Sequence, residues 1–120
     1  MKTQIIDELK NLEVHDVPIA RFEILFEERK VIVELEEFSE RDGEYYPLKL
    51  IFKKVNNVYT NNPNTEIFQC EGVFSIDYKP VDEERIEARL VIDMGPSMPV
   101  FVITVVFEEV EIERSIGINK

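Results

Sequence analysis

His15 and Asp16 are the first residues in the chain whose types could do chemistry together. An imidazole titrates near neutral pH and a carboxylate can orient it, so the pair could serve as a general base. His15 is the only histidine in a chain of 120 residues, and no serine or cysteine stands beside it in a nucleophile motif. Neighbours along an extended backbone point to opposite sides. The competing reading is a turn in which Asp16 bonds backbone amides and His15 packs or titrates at the surface. Cys70 is the only cysteine. With no basic neighbour to hold it as a thiolate, it reads as a small buried hydrophobe. The sequence has no phosphate-binding glycine loop, zinc spacing, HExxH or nucleophile elbow. It therefore assigns no catalytic residue, no metal ligand and no cofactor, and the expectation is a protein that is not an enzyme.

Carboxylates supply the next candidates: Glu34, Glu36 and Glu37; Glu40, Asp42 and Glu44; Asp82, Glu83 and Glu84; Glu108, Glu109, Glu111 and Glu113. Loop carboxylates can hold calcium, but calcium needs six to eight converging oxygens, and no Asp-x-Asp-x-Asp loop occurs. Most of these charges can be explained as solvated faces and protected sheet edges. The functional alternative is a surface for a basic protein. Glu34, Glu36, Glu111 and Glu113 would form such a face if their strands were neighbours, with Tyr45 and Tyr46 as an aromatic rim. An asparagine-rich stretch around Tyr59, with Asn57, Asn61 and Asn62, has the residue types that hydrogen-bond and stack a sugar. Turn-forming asparagines account for the same composition. Arg85 and Arg89 share a face with Glu87 and are expected to pair across strands.

The totals narrow the partners. The chain holds 25 acidic and 14 basic residues, for a formal net charge of −11. Such a field repels phosphate backbones and anionic membranes, so no nucleic-acid or membrane partner is expected, whereas basic proteins and cations are attracted. The length fits one domain over residues 1–120, large enough for a core without disulfide staples. The N-terminal stretch is charged throughout and does not read as a signal peptide. Cytoplasmic residence is the default expectation. An apolar face left uncovered by a sheet could pair two copies as a homodimer.

The elements that must position these residues follow from polarity periods. Ile5, Ile6, Leu9 and Leu12 make one helical stripe, so residues 3–12 read as a short helix with acids in its first turns and Lys10 in its last. Alternation then predicts strands at Ile19–Phe26, with Phe22, Ile24 and Phe26 on one face, and at Val31–Glu37, with Val31, Val33 and Leu35 inward. The polar Glu27–Lys30 joins them as a hairpin. Asp42-Gly43 marks a turn. Pro47–Val55 follows as a strand with a bulge or an end at Lys53-Lys54. Asn56–Thr65 reads as a long loop. Ile67–Tyr78 and Arg85–Met94 are further strands, and a short one follows at Val110–Glu113. Val100–Phe107, apolar at all but Thr104, reads as the central strand, buried on both faces. With no crossover helices the sheet must be antiparallel. The expected fold is all-β: an antiparallel two-layer sandwich or curled sheet of six to seven strands with a short N-terminal helix.

Three stretches carry a family resemblance. His15-Asp16 leads into Ile19-Ala20-Arg21-Phe22-Glu23-Ile24. Leu50, Phe52 and Val55 fit an L-x-F-x-x-V strand within Leu48–Val55. Phe107-Glu108-Glu109-Val110-Glu111-Ile112 forms an acidic closing strand. In this order of features the chain resembles a set of small bacterial, mostly uncharacterised proteins, some grouped with polymorphic-toxin immunity proteins. The resemblance implies an all-β fold and inhibition of a secreted toxin by direct binding, and supplies no catalytic residues.

Overall fold

Alternating apolar residues need two facing layers to bury them, and the chain builds both. The computed structural model describes residues 3–12, 15–60, 72–93 and 101–114. Helix α1 spans Thr3–Lys10. Nine strands follow among the described residues: β1 His15–Val17, β2 Ile19–Leu25, β3 Lys30–Ser39, β4 Glu44–Lys53, β5 Asn57–Thr60, β6 Gly72–Pro80, β7 Ile86–Asp93, β8 Phe101–Phe107 and β9 Glu109–Arg114. They form two sheets, ordered β1-β6-β7-β8-β5 and β2-β3-β4-β9, with every pairing antiparallel. The result is an all-β two-layer sandwich with a short N-terminal helix. Among the described residues no helix is long and apolar enough to cross a membrane.

The inner faces follow the period of two. Val31, Val33 and Leu35 of β3 and Leu48, Leu50 and Phe52 of β4 are fully buried, opposite Ile86, Ala88 and Leu90 of β7 and Val105 and Phe107 of β8. Phe52 and Phe107 meet across the layers with ring centroids 4.7 Å apart. Burying a side chain of that size stabilises the fold by about 1.5–3 kcal/mol. Helix α1 adds Ile6 and Leu9 to this core, with Ile5 and Leu12 packed beside them. The first turn of the helix carries no acid, whereas Lys10 does lie in the last turn.

Nine strands appear where six or seven were expected, partly because the chain changes sheets three times. Pro18 separates β1 from β2, and its carbonyl accepts a bond from the Glu36 amide at 3.0 Å. β4 ends at Lys53; Lys54 takes a left-handed φ of 52°, and the chain re-emerges as β5 in the other sheet. A single residue, Glu108, divides β8 from β9. Since β4 pairs with β9 and β5 with β8, both ribbons turn the same corner together. The Glu108 amide bonds the Lys53 carbonyl at 3.2 Å and the Asn56 amide bonds the Val106 carbonyl at 2.7 Å, so the ladder is carried around the bend.

Other expectations change in detail. Residues 57–60, read as loop, form edge strand β5. Phe26 lies in the β2–β3 turn and is 82% exposed, not on the inner face. β8 is buried on both sides, since Val102 and Val106 are buried opposite Ile103 and Val105. It stands next to the edge strand β5, however, and β7 holds the middle of that sheet. Pro47 sits inside β4, one residue beyond the described pairing with β9, where a missing N–H breaks no described ladder bond. Asn61, Asn62, Cys70, the first part of the expected strand Ile67–Tyr78 and Val100 lie outside the described residues.

Candidate interaction surface

The outer face of the four-stranded sheet gathers Glu34, Glu36, Glu109, Glu111 and Glu113, but not as one acidic field. Strands β3 and β9 are not neighbours, because β4 runs between them. It carries Lys49 and Lys53 on the same face, and each is answered by an acid. Lys49 lies opposite Glu113 in register and pairs with it at 3.8 Å; Lys53 reaches the diagonal Glu111 at 2.8 Å. That bond lowers the Glu111 carboxyl and raises the Lys53 ammonium from their ordinary pKa values. Arg21 of β2 faces Glu34 in register and approaches it at 3.6 Å. Lys54 pairs with Glu109 at 3.1 Å. Glu34, Glu111 and Glu113 are therefore matched within the sheet.

Glu36 is different. Its register partner is Pro47, and it makes no ion pair among the described residues. Two positions further along, Phe38 faces Tyr45 across the β3–β4 ladder, with ring centroids 5.2 Å apart in an edge-to-face arrangement. Phe38 is 51% exposed and Tyr45 58%. The turn beyond them is exposed and carries Glu40, Arg41, Asp42 and Glu44.

This end of the hairpin is held from beneath. Gly43 supplies the left-handed φ of 71° that closes the turn, and its amide bonds the Ser39 carbonyl at 2.8 Å. Asp42 accepts the Glu44 amide through Oδ1 at 3.1 Å and the Tyr46 hydroxyl through Oδ2. The second bond holds the Asp42 carboxyl below its ordinary range and pushes the Tyr46 phenol up. Tyr46, opposite the inward Glu37, is thus a brace on the inner-face register, while Tyr45 is the ring presented outward.

Glu37 also departs from the acidic surface reading. It is 8% exposed and projects onto the inner face. There Arg114 of β9 donates to it twice, Nε to Oε1 at 3.0 Å and Nη2 to Oε2 at 2.8 Å. No clustering in the sequence announces this pair, although the alternation that buries Val31, Val33 and Leu35 puts Glu37 on the same side.

The remaining candidates are dispersed. His15 lies on β1 opposite Ser75. Asn57 and Tyr59 stand on β5, opposite Val106 and Thr104. Among the described residues Arg85 makes its ion pair within the β6–β7 turn, with Asp82 at 2.6 Å, rather than across strands, and holds that carboxyl at about 2. Asp82 also accepts the Glu84 and Arg85 amides. Among the described residues no three acidic, histidine or cysteine side chains converge as a metal site. No protein-family model, curated protein or solved structure matches the chain.

Proposed function

We propose that the protein is a non-enzymatic interaction domain whose contact patch is Glu36, Phe38 and Tyr45 at the end of the β3–β4 hairpin, and whose partner presents cationic side chains. The reading rests on one observation: two opposed aromatic rings, each about half exposed, stand beside a carboxylate that has no cationic partner among the described residues. Aromatic anchors dominate interface energetics, and an unmatched carboxylate beside them selects for lysine or arginine. The braced turn lowers the ordering cost of binding. The net charge of −11 steers a basic partner toward the molecule. An immunity-type inhibitor of a cationic toxin is one form of such a protein.

The test is capture of basic proteins from a cell extract on the immobilised full chain, at low and at physiological salt. Losing a central aromatic anchor costs about 2 kcal/mol or more, roughly thirtyfold in affinity. Tyr45→Ala and Phe38→Ala should each abolish recovery of a specific partner. Glu36→Lys should remove most of its salt-dependent part. Equal recovery by the wild type and all three variants rejects this patch.

A further inference from the structure

A concavity lies where the β2–β3 turn approaches the edge strand β5, a groove of about 480 Å³. Its apolar walls include Ile24, Phe26, Val55, Val58 and Tyr59. The volume is in the range of small-molecule sites. Among the described residues the charged ones that line it are Arg29 and Lys30. Both are cations, in a chain where acids outnumber bases 25 to 14.

Arg29 is unusual in how it is held. Its backbone is left-handed, with φ 55°. Its carbonyl accepts the Val55 amide at 2.9 Å, and its Nε donates to the Val55 carbonyl at 3.1 Å. These contacts tie the residue to the floor of the groove, yet it has no carboxylate partner among the described residues. Lys30 shares its charge with Glu28 at 3.5 Å. A tethered guanidinium with its terminal nitrogens left over is suited to a carboxylate.

We infer that this groove binds a small amphipathic carboxylate, with the acid group on Arg29 and the apolar body between Phe26 and the Val58–Tyr59 segment of β5. The site lies at the other end of β3 from the Phe38–Tyr45 patch and is independent of it.

Decanoate, decanol and decylammonium, titrated calorimetrically into the full chain, separate charge from greasiness. Decanoate should bind at least about tenfold more tightly than either of the others, since a charge-assisted bond is lost in both. Amide shifts should cluster at residues 24–31 and 55–60. Arg29→Gln should remove the preference for decanoate over decanol. Phe26→Ala, at a residue 82% exposed and therefore safe for folding, should weaken both. Decylammonium binding as well as decanoate, no binding at millimolar decanoate, or shifts mapping elsewhere would each overturn the inference. If Arg29→Gln proves unfolded by circular dichroism, the three-ligand comparison and Phe26→Ala still decide it.

Discussion

Breaking the Glu37–Arg114 pair should be asymmetric. Glu37 lies on the inner face of β3, near the β3–β4 turn, with a side chain 10% exposed, whereas the Arg114 side chain is 41% exposed. Removing the arginine strands a nearly buried carboxylate that has lost both of its hydrogen bonds. Removing the glutamate frees a guanidinium that can swing into water. Fully buried pairs cost 3–5 kcal/mol to break and exposed pairs contribute about 0.2–1 kcal/mol, so a half-covered pair falls between. Arg114→Ala should destabilise by about 2–3 kcal/mol and Glu37→Ala by about 1–2 kcal/mol. For a domain of this size each kcal/mol lowers Tm by about 4 °C. The double variant should cost about 1 kcal/mol less than the sum of the two single ones, because once one partner is gone the other has no bond left to lose. Urea unfolding followed by far-ultraviolet circular dichroism measures all three. A Glu37→Ala cost equal to or above that of Arg114→Ala, or strictly additive costs, would refute the reasoning.

Tyr78 is 7% exposed, and its hydroxyl has no hydrogen-bond partner among the described residues. Burial pushes its phenol well above the ordinary value. Tyr78→Phe should raise stability by about 1 kcal/mol, and a drop in the urea midpoint would show that the hydroxyl is satisfied. Gly43→Ala should cost about 1 kcal/mol through its positive φ, and an unchanged midpoint would mean that the turn relaxes freely. Asp82 is held at about 2 against an ordinary 3.8. Because its folded value is depressed, its contribution is complete above about pH 4 and fades as pH falls through about 2. Carboxyl NMR should show Asp82 titrating well below the ordinary aspartate value, and Arg85→Gln should move it up toward 3.8. Titration together with the exposed glutamates would contradict the turn geometry.

Alternation was the legible part of this chain. Strands β3 (over residues 31–35) and β7 (over residues 86–92) carry apolar–polar rhythms broken only at Ile32 and Val91, and the inward Val31, Val33, Leu35, Ile86, Ala88, Leu90 and Ile92 are the residues the rhythm names. Strand β5 was hidden because Asn57 and Thr60 flank Val58 and Tyr59, and a four-residue edge strand has too few periods to stand out against turn composition. Phe26 was misplaced because the rhythm of β2 runs one residue past the point where the turn lifts the chain off the sheet. The acidic surface was legible as charge but not as matching. That Lys49 and Lys53 would lie among those glutamates depends on β4 separating β3 from β9, a pairing between residues more than fifty positions apart. For the same reason no local signal could join Glu37 to Arg114.

The shared corner at Lys54 and Glu108 makes each layer a hostage to the other. Peeling β9 from β4 exposes the bend on which β5 and β8 depend, so damage entering from either side should propagate through both layers as a single event. Neither layer could then be excised and expected to survive. A chain cut between residues 54 and 57 would have to reassemble from both pieces or stay unfolded.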